Sequence, residues 1–200
     1  MLLKVLENIG DSIFPQYDIM LDLHIKSYID IFKTIPFGIE SSDIVEIIEY
    51  HILQELNSFD EYCEIDMIFA LSSSRSKEYE DKHIIVLGEL FLSDMIDFYI
   101  VDESTQPTLS RYKKYKYEAW IYFRNNFIYK ERFNAEDFCN ISWNTPNKWS
   151  RYNINATLTP KGTKYFNEIL SPKFYNKYKD LEVEIDDKGN IIRWIGQINR

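Results

Sequence analysis

Apolar residues change their spacing along this chain, and that change restricts its fold more than any other feature. In the first third they recur at three- and four-residue intervals. Leu21, His24, Tyr28, Ile31/Phe32 and Ile35 line one face of a predicted helix from Tyr17 to Ile35. Asp22, Lys26 and Asp30 stand on the opposite face as i,i+4 pairs, and Pro36 with Gly38 ends the segment. A second helical stripe follows: Ile44, Ile47/Ile48, His51/Ile52, Leu56 and Phe59. Ser41, Ser42 and Asp43 offer N-caps to it, with Asp43 and Glu46 spaced as a capping arrangement. Near the C-terminus the period drops to two. Leu181, Val183 and Ile185 alternate with Glu182, Glu184 and Asp186, then Asp187-Lys188-Gly189-Asn190 turns the chain into Ile191–Ile195.

Between these ends the sequence predicts mostly strands. Tyr62–Leu71, Ile84–Leu92 and Met95–Val101 are apolar enough, with a tight turn at Ser93-Asp94. Residues 76–83 (SKEYEDKH) read as an exposed charged connection. Tyr117–Arg124 and Phe127–Phe133 read as a hairpin around Asn125-Asn126, since Asn tolerates the left-handed conformation such turns require. Thr159-Pro160 predicts a helix start carrying Tyr165, Phe166, Ile169 and Leu170. Pro172 breaks or restarts that helix, and Phe174–Tyr178 continues it. The expected class is α+β: N-terminal helices packed on a mostly antiparallel β-sheet, with a C-terminal helix and β-hairpin. One domain is expected over residues 1–200, with a loop or weak boundary at 102–110 (DESTQPTLS).

Composition narrows the function classes. Hydrophobic residues make up 45% and charged ones 28%, with six Gly and six Pro, which describes a folded chain rather than a disordered one. The longest apolar stretch, Ile84–Leu92, is interrupted by Gly88 and Glu89 and falls short of a membrane span. Glu7 and Asn8 come too early for a secretory apolar region, so a cytoplasmic protein is expected. Cys63 and Cys139 are far apart in sequence and read as free thiols.

Catalytic and metal signatures are missing. His24, His51 and His83 form no HxxxH or HxH pair, so no metal is expected. There is no GxSxG, and Ser72–Ser74 beside Lys77 reads as a serine-rich turn. Lys161-Gly162-Thr163 lacks the preceding glycine of a phosphate-binding loop. No catalytic residue and no cofactor is assigned. An enzyme with dispersed catalytic residues remains an alternative.

Charge is the remaining lead. The chain carries −9 overall, unevenly divided. Residues 1–103 hold 22 Asp and Glu against 6 Lys and Arg; residues 104–200 hold 10 against 17. The halves are therefore −16 and +7. A small acidic chain without catalytic signature shares the profile of immunity proteins and toxin inhibitors, which neutralise a basic partner such as a nuclease. The candidate contacts are Asp60, Glu61, Glu64, Glu78, Glu80 and Asp81. The second alternative uses the basic half. There Arg111, Lys113, Lys114, Lys116, Trp149 and Arg151 mix cations with stacking rings, as single-stranded nucleic-acid binders do.

Overall fold

The structure, a computed structural model, describes residues 2–9, 12–15, 34–36, 38–58, 63–64, 77–100, 109, 116–125, 154–188 and 190–200. The architecture is α+β. Three short strands open the chain: β1 (Leu2–Lys4), β2 (Leu6–Ile9) and β3 (Ser12–Pro15). Then come α1 (Ser41–Ser58), β4 (Cys63–Glu64), α2 (Lys77–Leu92), β5 (Ile96–Ile100) and α3 (Lys116–Phe123). The last part holds β6 (Ile154–Leu158), α4 (Pro160–Tyr165), a π-helical turn (Phe166–Leu170), α5 (Ser171–Tyr178), β7 (Glu182–Ile185) and β8 (Ile191–Ile195). The strands form three small sheets, ordered β1-β7-β8, β2-β3 and β4-β6-β5, and every described pairing is antiparallel.

Helix α1 is the centre of the molecule. From Glu46 to Leu56 almost every side chain is buried, with Glu49 half-buried. A helix covered on nearly all sides needs neighbours all round; α2, β6 and the π turn supply them. Tyr50 stacks on Phe174 with ring centroids 3.9 Å apart and meets Phe166 at 5.7 Å. A second aromatic group joins Phe91, Phe98, Trp120 and Phe123, with Phe98 and Phe123 at 4.6 Å. Both groups belong to one continuous core.

Two segments predicted as strands are helical. Ile84–Leu92 belongs to α2, and the charged residues from Lys77 onward form its first turns rather than a loop. The burial pattern explains the reassignment: His83, Ile84, Val86, Leu87, Leu90 and Phe91 face inward while Ile85 and Glu89 face out. That is a 3.6-residue period hidden in a nearly unbroken apolar run. Tyr117–Arg124 is likewise not a hairpin strand. Ala119, Trp120 and Phe123 are buried and Tyr117 and Glu118 exposed, again one face of a helix. Gly88 holds the two helices close, because a Cβ there would meet the Trp120 ring at 2.5 Å.

Other expectations hold. Ile96–Ile100 is a strand, and Ser93-Asp94 is the turn before it. Asp94 has φ 60°, and the bonds Asp94 N–H to Phe91 O and Met95 N–H to Leu90 O close a Schellman motif at the end of α2. Thr159 caps α4, its hydroxyl accepting from Gly162 N–H at 3.0 Å. Pro172 restarts the helix, standing in the first turn of α5. It lacks an N–H, and the preceding turn widens so that Ser171 N–H bonds Phe166 O. The C-terminal hairpin pairs β7 with β8, with Val183 opposite Trp194. Of the predicted Tyr62–Leu71 strand, the described part is β4. The predicted helix Tyr17–Ile35 lies outside the described residues except Thr34 and Ile35, which are not helical; Phe127–Phe133 lies wholly outside. Among the described residues no helix is long and apolar enough to cross a membrane.

Candidate functional site

The charge division has a structural counterpart at the start of α1. Asp43 is fully buried in the first turn of the helix, where the N–H of Glu40 donates to its Oδ2 at 2.8 Å. The capping partner of Asp43 is thus Glu40, not the Glu46 that sequence spacing suggests. Lys177 from α5 places its ammonium 2.6 Å from Asp43 Oδ1 and also bonds Glu46 Oε2. Lys173, one turn earlier, reaches Glu46 Oε1 at 2.6 Å. Arg200 adds a third cation, 2.9 Å from Asp43 Oδ2 and 3.3 Å from Glu40 Oε1, and donates to Gly38 O. The tail is brought there by Asn199, whose N–H bonds Lys177 O and whose amide bonds Asp180.

Electrostatics follow from this geometry. Burial opposes ionisation of Asp43, but hydrogen bonds from Lys177, the Glu40 N–H and Arg200 outweigh it and hold the carboxyl below its usual range. Burial also opposes ionisation of Glu46, and Lys173 and Lys177 overcome it. Lys177 is desolvated too, yet the two carboxylates raise its pKa above the ordinary lysine value. Asp43, Glu46 and Lys177 are therefore ionised near neutral pH, and the cluster forms a clasp between the first and last parts of the chain.

A second junction lies at the C-terminus of α2. Lys116 sits 2.7 Å from Asp94 Oδ1, bonds Leu92 O at 3.3 Å and lies over the Phe91 ring at 4.8 Å. Lys161 donates to Ser93 O at 2.8 Å, and the Thr159 hydroxyl to Asp94 O at 2.5 Å. Cations at a helix C-terminus oppose the partial negative charge of its last carbonyls.

Two of the three histidines are inside. His51 on α1 and His83 on α2 are 4% and 1% exposed. Burial and then the neighbouring His83 lower the His51 pKa to about 3, so its ring is neutral. Glu55 lies 3.9 Å from His51 Nδ1. A neutral imidazole beside a carboxylate is base chemistry in principle, but these rings are too buried to meet a substrate. Among the described residues no group of three or more His, Cys, Asp or Glu is arranged to hold a metal ion. His24 lies outside them.

The predicted partner-binding acids divide as follows. Glu78, Glu80 and Asp81 stand together in the first turns of α2, and Asp81 is half-buried. Glu64 stands on β4, opposite Asn155 of β6. Asp60 and Glu61 lie outside the described residues, as do Arg111, Lys113, Lys114, Trp149 and Arg151 from the nucleic-acid alternative. Lys116, the described member of that set, is engaged with Asp94. Sequence reading missed Glu49 and Glu89. Burial raises the Glu49 pKa, Tyr165 opposes this with a hydrogen bond at 3.0 Å, and the charges of Glu46 and Glu89 raise it further. Glu89 on α2 and Glu49 on α1 are therefore electrostatic neighbours. Helical numbering of α2 would have placed Glu89 on the same face as Asp81. Comparison with protein-family models, with curated proteins and with solved structures finds no match to this chain.

Proposed function

We propose that this chain is a non-enzymatic binding protein whose acidic surface engages a basic protein, in the manner of an immunity protein or toxin inhibitor. The observation behind this reading is the acidic surplus of the first half of the sequence, of which the ion pairs seen among the described residues account for only a part. Part of the charge asymmetry is internal complementarity: Lys116, Lys173, Lys177 and Arg200 of the second half pair with Asp94, Glu40, Asp43 and Glu46 of the first. Setting aside those four cations and four acids reduces −16 and +7 to −12 and +3. Against these pairs of described residues, the first half still carries most of its surplus of carboxylates and the second less than half of its net positive charge. Such a field attracts cations and steers their approach. Asp60, Glu61, Glu64, Glu78, Glu80 and Asp81 are the proposed contacts.

The same arithmetic favours a protein partner over nucleic acid, because the surplus repels phosphate and little net positive charge is left to attract it. The test is binding of the intact chain to the product of the adjacent gene and to lysozyme, a folded basic protein, at low and physiological salt. Tight binding that weakens as salt rises is expected. A chain that ignores both proteins at low salt is not a binder of basic partners.

A further inference from the structure

The segment Gly196–Arg200 lies across the start of α1 as a strap. It leaves β8 at a sharp pivot: Gly196 has φ 95°, and a Cβ there would meet Asp180 O at 1.8 Å. None of its residues is buried, and Ile198 packs against the core only in part. Hydrogen bonds fasten the rest. The Asn199 N–H bonds Lys177 O at 2.8 Å, and its side-chain amide bonds Asn176 O at 2.9 Å and Asp180 Oδ2 at 2.7 Å. Surface hydrogen bonds and little apolar burial mark a segment that opens without unfolding the body beneath it.

What the strap covers is specific. Arg200 Nη2 lies 2.9 Å from Asp43 Oδ2 and donates to Gly38 O, while Nη1 lies 3.3 Å from Glu40 Oε1. Two nitrogens of one planar group thus address three acceptors, which suits a guanidinium fork and not the point charge of an ammonium. Lys177 already holds Asp43 Oδ1, so lifting the strap leaves Oδ2 its bond from the Glu40 N–H but takes away its cation. A buried carboxylate robbed of a charged partner is costly, and a second guanidinium in the same place restores it. We propose that Gly196–Arg200 is a detachable strap and that the niche of Gly38 O, Glu40 and Asp43 is a receptor for an arginine side chain of another protein, closed in cis by Arg200. The incoming arginine takes over the same acceptors, so strap and partner exclude each other. None of the six acids proposed above as partner contacts belongs to this niche.

Arg200→Ala empties the niche at an exposed position. Thermal melts of this variant and of the unaltered chain are followed with about 20 mM N-acetylarginine amide or N-acetyllysine amide, at constant ionic strength. The arginine amide is expected to raise the melting temperature of Arg200→Ala by about 2–4 °C, and the lysine amide by less than half as much. Neither should move the unaltered chain, whose own arginine fills the site. Equal rises with the two amides, no rise with either, or the same rise in the unaltered chain overturns the receptor niche. Native-state hydrogen exchange of the unaltered chain tests the strap. The Asn199 amide is expected to exchange about 100-fold faster than the amides of Ile47 and Leu53 in the buried middle of α1. Equal rates would mean that the strap opens only with the whole molecule, and would overturn the proposal as well.

Discussion

Lys177 holds its ammonium 2.6 Å from the buried carboxylate of Asp43, and through that contact α5 and the C-terminal tail are fastened to the N-terminus of α1. Glu46 shares the same ammonium, so one cation answers two carboxylates drawn out of solvent. Breaking a buried pair from one side leaves an uncompensated charge, which costs more than the pair itself contributes. Lys177→Met is therefore expected to lower stability by about 2–4 kcal/mol. Arg200 and Lys173 keep part of the compensation, which sets the loss toward the lower end. Urea unfolding of Lys177→Met, Asp43→Asn and the double variant measures it. The double variant should lose less than the sum of the singles; strict additivity would show that the two side chains do not interact.

The clasp was not legible in the sequence. Asp43 reads locally as a helix-capping residue, which it is, but nothing near it announces Lys177 or Arg200. What could be read was the imbalance between the halves, and that is the bulk trace of long-range pairing as well as of a surface field. Features made by neighbours in sequence were easier. Thr159-Pro160 specifies its helix start within four residues, because the cap hydroxyl and the Gly162 N–H it accepts from are both local. The connection between β7 and β8 is local in the same way, with Asp186 Oδ1 accepting from the N–H groups of Lys188 and Asn190. Ile84–Leu92 and Tyr117–Arg124 read as strands in the sequence for the opposite reason. When most side chains in a segment are apolar, both periods fit, and only the partner surface decides between them. For these two helices that partner is the other one, through Gly88 and Trp120.

Acid should act through His51. Its ordinary pKa of 6.5 falls to about 3 in the fold, so below 6.5 the unfolded chain takes up a proton that the folded chain refuses. The stability tied to the neutral ring is complete above pH 6.5 and is lost as pH falls toward 3. The slope in that window is about 1.4 kcal/mol per pH unit for one proton. His51→Gln, compared with the unaltered chain by urea unfolding from pH 7 down to 4.5, should show a shallower dependence by that amount. Parallel curves would mean that the ring is protonated as easily inside as outside.

The junction at the start of α4 gives a local prediction. The Thr159 hydroxyl accepts from Gly162 N–H and lies 2.5 Å from Asp94 O, so one side chain caps α4 and ties it to the turn after α2. Thr159→Ala is expected to cost about 0.5–2 kcal/mol, the usual range for a lost cap, and Thr159→Ser to recover most of it. Thermal unfolding of the two variants checks this. An alanine variant as stable as the unaltered chain would mean that water replaces the hydroxyl without loss.

Gly88 tests the α2–α3 contact against helix propensity. In an open helix, replacing glycine by alanine gains about 1 kcal/mol. Here the new methyl group would lie 2.5–2.7 Å from atoms of the Trp120 indole, well inside contact distance. Trp120 is buried against Phe91, Phe98 and Phe123, so the ring has little room to retreat. Overpacking of this kind costs about 1–3 kcal/mol, enough to cancel or reverse the propensity gain. Gly88→Ala should therefore be no more stable than the unaltered chain, and less stable if the ring cannot shift. Trp120→Leu leaves a cavity and is destabilising alone, but in that background the methyl group added by Gly88→Ala has space. The double variant should then be more stable than Trp120→Leu by roughly the helix-propensity gain. If Gly88→Ala stabilises the unaltered chain as much as it does the Trp120→Leu chain, α2 and α3 do not meet at this point.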